Sequence, residues 1–170
     1  MSGPVSAGFT LAPATRAHLP EILAIYNEVI RTSTAVFSDV EVSLQNREEW
    51  LTAKAAAGHP VLIALDDSGV TGFGTFGDFR AWPGYRHSVE HSVHVRADRR
   101  RRGIGRELVL ALLAEARRLD KHVMVAGIDA ENVTSISLHE SIGFEVVGHL
   151  REVACKFGRW LDLKFLQRLI

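Results

Sequence analysis

The chain has 170 residues, and its 20 Lys plus Arg balance its 20 Asp plus Glu, so the formal net charge is zero. This balance argues against a general electrostatic attraction to nucleic acid or to an anionic membrane. Apolar residues make up 46% of the chain, and the single cysteine, Cys155, excludes an internal disulfide. We expect one globular domain over residues 1–170, located in the cytoplasm, with no nucleic-acid or membrane partner.

The first half of the chain predicts a short strand, two helices and a hairpin. Thr15 is a typical helix N-cap residue, and apolar residues recur at helical spacing from Leu19 to Ile30. Turn-forming residues at 66–69 separate two apolar runs. The predicted elements are, in order, a strand at 9–12, a helix from 19, a loop at 32–42, a helix after Ser43, and strands at 61–65 and 70–76.

The second half predicts an alternation of strands and helices. In the predicted strand 87–96, one face carries His87, Val89, His91, Val93 and Val95, and the other carries Ser88, Glu90, Ser92 and His94. The elements that follow are a helix after Gly105, a buried strand at 122–128, a helix capped by Asn132 and ended by Gly143, and strands at 144–154 and 160–169. The whole order is β-α-α-β-β-β-α-β-α-β-β, which predicts a mixed α/β sheet with helices on its faces.

The segment between strand 87–96 and the next helix carries the strongest chemical signal. It reads R-x-x-G-x-G over 100–105, directly before a helix start. Unpaired N–H groups at a helix start bind phosphate, glycines let a pyrophosphate approach them, and arginines add charge-assisted hydrogen bonds. The segment fits neither of the commoner glycine-rich phosphate motifs, because no Lys follows Gly105 and residue 108 is Leu.

This motif resembles the pyrophosphate-binding signature of the GNAT superfamily of N-acetyltransferases. The segments GYRHSVEHSVHV, HVMVAGIDAENVTSISLHESIGF and KFGRWLDLKFLQ are similar to the branch that acetylates phosphinothricin, methionine sulfone and methionine sulfoximine. Arg101 departs from the pattern, since relatives usually have Gly there. The resemblance implies the GNAT fold, acetyl-CoA as acetyl donor, a homodimer, and a coenzyme A site formed by Val93, His94, Val95, Arg100, Arg101, Arg102, Gly103, Ile104, Gly105, Arg106, Asn132 and Ser141.

Two side chains are candidates for the chemistry. Glu90 is either a solvated residue of the polar face or, as the resemblance implies, the base that deprotonates the attacking amine. His139 either packs on its helix or protonates the departing thiolate, a task suited to a side chain that titrates near neutrality.

The candidate substrate wall combines arginines for a carboxylate with aromatic side chains for the substrate tip. Its expected members are Phe37, Arg80, Ala81, Trp82, Tyr85, Arg86, Glu90, His91 and Ser92.

Two other functions fit the sequence less well. One is acetylation of a protein N-terminus or lysine, against which the aromatic loops argue. The other is a non-catalytic acyl-CoA sensor or nucleic-acid module, against which the zero net charge and Glu90 argue. The histidines have no metal-ligand spacing, so we expect no metal.

Overall fold

The computed structural model describes residues 8–170 and contains one seven-stranded sheet with four helices. The predicted domain begins at residue 1, and its first seven residues lie outside the described part. The strands are β1 (Thr10–Pro13), β2 (Val61–Asp66), β3 (Gly69–Asp78), β4 (Ser88–Val95), β5 (Val123–Asp129), β6 (Glu145–Lys156) and β7 (Arg159–Leu169). The helices are α1 (Leu19–Thr32), α2 (Leu44–Ala56), α3 (Ile104–Arg118) and α4 (Val133–Ser141).

The strand order in the sheet is β1-β2-β3-β4-β5-β7-β6. All neighbouring strands are antiparallel except β4 and β5, which run parallel and are connected through α3. This arrangement is the predicted mixed sheet, and the predicted order of elements is confirmed.

The predicted helix from 19 is confirmed, but Thr15 does not cap it, because the N-cap residue of α1 is His18. Residues 16–18 after Thr15 form a 3-10 turn, and α1 begins at Leu19. Pro20 explains the position of the α-helix, because a residue without an N–H is tolerated only in the first turn. The predicted first strand at 9–12 is shifted by one residue, to the four that pair with β2.

The two faces of the sheet are covered by different helices. On one face α1 packs on Ile63, Val70 and Phe73, a cluster that also includes Leu19 and Ile22. On the other face Leu112 and Ala116 of α3 lie in the larger cluster, which also contains Val89 and Met124. Both faces of β4 are therefore covered over much of its length, which places its polar side chains in or beside the interior.

No helix of the described residues is both long and apolar enough to cross a membrane.

Candidate active site

A gap opens between β4 and β5 in the middle of the sheet. The two strands pair only at Ser88, Val89 and Glu90, opposite 123–125, so Glu90 is the last residue of β4 that pairs with β5. The carbonyl of His87 accepts from the N–H of His122, so odd-numbered residues of β4 direct their backbone polar groups toward β5. The amides of Val93 and Val95 therefore face the gap, where a ligand can pair with them.

The start of α3 faces the same gap. Gly103 is the N-cap residue and adopts φ +81°, which favours glycine. Its carbonyl accepts from the N–H of Glu107, whereas the N–H groups of Ile104, Gly105 and Arg106 precede the first intrahelical bond. These amides and the positive end of the helix make an anion site.

The arginines of 99–102 have different surroundings. Arg99 Nε donates to Asp66 (2.7 Å) and its Nη1 donates to Asp98 (2.6 Å), so this cation is already paired. Hydrogen bonds from the Ser68 hydroxyl and then from the Arg99 guanidinium hold the pKa of Asp66 well below its usual range. Arg100 donates to the Val95 carbonyl (3.3 Å), and within residues 8–170 neither it nor Arg101 pairs with a carboxylate. Two guanidinium groups are thus available to phosphate.

Arg101 adopts φ +62°, in the left-handed region. This explains why glycine suits the position, because a side chain there costs about 1 kcal/mol. The Arg101 side chain is exposed.

A cleft of about 770 Å³ lies between β4, the start of α3 and the start of α4. All but two of the residues predicted to bind the cofactor line it, and these are Val93, His94, Val95, Arg100, Arg101, Gly103, Ile104, Gly105, Arg106 and Asn132. Arg102 is exposed outside the lining, and Ser141 lies at the far end of α4, where its hydroxyl donates to the Leu138 carbonyl. The cleft combines a row of backbone amides with arginine cations. A ligand made of a pyrophosphate and a long neutral arm requires both.

Glu90 occupies the point where the gap begins. Its side chain is half-buried, and burial raises the pKa of its carboxyl group, while the nearby Arg80 opposes the rise. A Cβ at Gly127 would lie 2.9 Å from Glu90 Oε1, so the carboxylate lies against the bare backbone of β5. Sequence reasoning missed Gly127, although a glycine inside a buried strand often marks such a close approach.

His139 and His91 form a buried pair. His139 Nδ1 donates to the Ser135 carbonyl (2.6 Å), which leaves its Nε2 to accept from His91 Nε2 (3.1 Å). Burial, then the neighbouring His139 and His94, lower the pKa of His91 to about 3, and burial lowers that of His139. Both nitrogens of His139 have protein partners, so the geometry favours the packing alternative over donation to a thiolate.

A smaller cavity of about 110 Å³ adjoins the large cleft. Its walls include Ala35, His91, Ser92 and Gly127, so it links the large cleft to the strand segment beside Glu90. Ser92 is exposed there, whereas His91 is buried.

The loop between β3 and β4 only partly forms the expected aromatic wall. Phe79 contacts Tyr85 and Phe165 at ring distances of 5.9 and 6.1 Å, and the Arg80 guanidinium lies 4.3 Å above Phe79. Trp82 is 75% exposed. Trp82 and Tyr85 line neither cavity, so their role in a substrate wall stays a prediction.

The remaining substrate candidates also lie at the surface. Ala81 is exposed, and Arg86 is turned back to donate to the Pro83 carbonyl (3.3 Å). Phe37 is 37% exposed and lies outside the lining of both cavities. Only Arg80 among the loop arginines acts on Glu90 electrostatically.

Among residues 8–170, no group of three or more His, Cys, Asp or Glu side chains is arranged to hold a metal ion.

Comparison with known proteins agrees with this geometry. The sequence model of an acetyltransferase (GNAT) domain matches residues 11–164. An L-methionine sulfoximine/L-methionine sulfone acetyltransferase of Pseudomonas paraeruginosa is 48% identical over 89% of this chain and 88% of its own. A Salmonella typhimurium protein, solved with acetyl-CoA as its cofactor, is 43% identical with a TM-score of 0.92 over 95% of this chain and 94% of its own. A Sinorhizobium meliloti phosphinothricin acetyltransferase, also solved with acetyl-CoA, is 32% identical with a TM-score of 0.92 over 96% and 89%.

Proposed function

The chain belongs to the GNAT acetyltransferase family and is an N-acetyltransferase, and from that premise we propose that it acetylates the α-amino group of a small amino-acid-like substrate. Acetyl-CoA is the acetyl donor, as the two relatives solved with it indicate. The names of the relatives support methionine sulfone, methionine sulfoximine and phosphinothricin as acceptors to test first.

The site of the donor is proposed to be the 770 Å³ cleft. The amides of Ile104, Gly105 and Arg106 hold the pyrophosphate, with Arg100 and Arg101 adding charge. The amides of Val93 and Val95 pair with the pantetheine arm. This pairing positions the thioester carbonyl near Glu90.

Transfer is proposed to be direct, with Glu90 as general base. The acceptor arrives as an ammonium ion and loses a proton to the Glu90 carboxylate, directly or through water. The free amine then attacks the thioester carbonyl carbon, and the new C–N bond forms. As the tetrahedral intermediate collapses, the C–S bond breaks to release the thiolate, and the nitrogen gives its second proton to solvent. Solvent supplies the proton to sulfur, because both nitrogens of His139 are occupied.

The observation that carries this proposal is the position of Glu90 at the start of the gap, with a raised pKa. A carboxyl group titrating closer to neutrality is a better proton acceptor at cellular pH. Arg80, which acts on Glu90 electrostatically, is proposed to hold the acceptor's carboxylate.

The deciding experiment is a turnover screen with acetyl-CoA. We expect acetylation of one or more of methionine sulfone, methionine sulfoximine, phosphinothricin and the free amino acids, with sequential kinetics. Turnover of peptides only, or of none of these acceptors, would contradict the proposal.

We further propose that the protein is a cytoplasmic homodimer with one catalytic domain spanning the chain. Strand β6 forms one edge of the sheet, and large apolar side chains of the β6–β7 hairpin are exposed, namely Val146, Val147, Leu150, Val153 and Trp160. Such a patch is typical of an interface. Light scattering that gives a monomer mass at micromolar concentration would exclude the dimer.

A further inference from the structure

Lys156 is a buried lysine whose hydrogen-bond partners lie far away in the sequence. It ends β6 and is 1% exposed, yet its ammonium pairs with no carboxylate within residues 8–170. Nζ instead donates to the carbonyls of Ser33 and Val36, each at 2.7 Å. Burial of an ammonium is unfavourable, and these two bonds, the Phe157 ring 4.8 Å from Nζ and the attraction of Asp39 offset it.

The two carbonyls belong to the segment that follows α1. Ser33 is the C-cap residue of α1, and the chain runs without regular structure from there to Ser43. Thr34, between the two carbonyls, donates its hydroxyl to the carboxylate of Asp129, a buried residue at the end of β5. The segment 33–36 is thus tied to the ends of two strands, β5 and β6.

This segment forms part of both cavities. Ser33, Thr34 and Ala35 line the large cleft, and Ala35 also lines the small cavity that reaches Gly127. Glu90 Oε1 lies directly beside Gly127. The segment therefore stands where the acceptor amine must meet the thioester.

We propose that Lys156 is a positioning residue, which holds segment 33–36 as the wall of the acceptor site and thereby sets the affinity for a small amino-acid substrate. This inference rests on the proposed function for its substrate. The contacts between Lys156 and segment 33–36 involve only the protein. Hydrogen exchange therefore tests them in the absence of substrate.

The kinetic experiment compares Lys156→Met with the wild type. Methionine keeps the length of the side chain and removes the ammonium. We expect the KM for the best acceptor of the turnover screen to rise about tenfold, as for the loss of a charged hydrogen bond. The KM for acetyl-CoA should change less than about threefold, since the amides of α3 are not involved. Lys164→Met, on the adjacent strand β7, is the matched control and should leave both KM values unchanged.

Hydrogen exchange tests the contacts in the absence of substrate. Lys156→Met and Thr34→Val should each speed amide exchange across residues 33–42, with the central strands unaffected. Thr34→Val also carries the kinetic test if Lys156→Met does not fold, and it should raise the acceptor KM in the same direction.

The possible outcomes separate the two proposals. If the wild type acetylates an amino acid and the variants leave the acceptor KM unchanged, or raise both KM values equally, the positioning role is wrong while the proposed function stands. If no amino acid is acetylated, the proposed function fails, and faster exchange confined to 33–42 still supports the role of Lys156 in holding this wall. Unchanged exchange in both variants would overturn it.

Discussion

The carboxylate of Glu90 lies over the backbone of Gly127, where a Cβ would be 2.9 Å from Oε1. This relationship joins the last residue of β4 that pairs with β5 to a position on β5 that has no side chain. The orientation of the proposed base therefore depends on Gly127, which lies two residues after Val125, the partner of Glu90 on β5.

Gly127→Ala is expected to displace the Glu90 carboxylate without unfolding the protein, because the atom in conflict is the end of a flexible side chain. We expect kcat to fall roughly 10- to 100-fold, as for a misplacement of about 1 Å. Gly148→Ala on β6 is the matched control, since its Cβ would lie 3.8 Å from Phe165. Steady-state kinetics of both variants decide, and equal kcat values for Gly127→Ala and wild type would contradict the expectation.

Gly105→Glu is expected to abolish binding of coenzyme A, because it brings a carboxylate to the proposed pyrophosphate site. Gly105→Ala is the control for the protein itself, since the nearest atom to its Cβ would be Val95 Cγ2 at 3.7 Å. Titration calorimetry should show a loss of at least 100-fold in affinity for Glu and about tenfold or less for Ala. An unchanged affinity of the Gly105→Glu variant would show that the pyrophosphate does not bind here.

Arg80→Ala is expected to raise the KM of the acceptor far more than that of acetyl-CoA. It should also move the acid limb of the pH–rate profile upward, because Arg80 lowers the pKa of Glu90. Arg86→Ala is the control, as its guanidinium is turned toward the Pro83 carbonyl. Equal effects of the two variants on acceptor KM would reject a specific role for Arg80.

The buried histidines predict how stability depends on pH. The pKa values of His91 and His94 are lowered to about 3 and about 4, against an ordinary value near 6.5. Between pH 6.5 and 4 the unfolded chain binds these protons and the folded chain does not, so acidification destabilises the fold by up to about 1.4 kcal/mol per pH unit for each residue. Urea unfolding at several pH values measures the free energy of unfolding as a function of pH. Its dependence on pH should be weaker for His91→Gln than for the exposed control His122→Gln. Identical slopes would contradict the assignment.

Much of the fold could be predicted from the sequence, because hydrophobic period and turn residues determine the elements. The faces of β4 follow from simple alternation, and Gly103 marks the start of α3, where the pyrophosphate site is proposed. Arg101 lies in the left-handed region, which suits the glycine that the family resemblance implies at this position.

The contacts between distant segments could not be predicted in the same way. No local pattern indicates that Lys156 reaches Ser33, or that the nitrogens of His139 are both occupied. The exposure of Trp82 was missed because an aromatic residue in a loop is compatible with either a wall or a surface. These features depend on tertiary packing, which a local sequence pattern does not encode.

Glu90→Gln tests the central claim most directly. Glutamine preserves the size of the side chain and cannot accept the proton, so kcat should fall about 100- to 10,000-fold near neutral pH. Acetyl-CoA affinity should be unchanged, because the proposed pyrophosphate contacts lie at α3. The defect should shrink at high pH, where more of the acceptor amine is already neutral. A pH–rate profile in which Glu90→Gln keeps wild-type activity near neutrality would show that Glu90 is not the base.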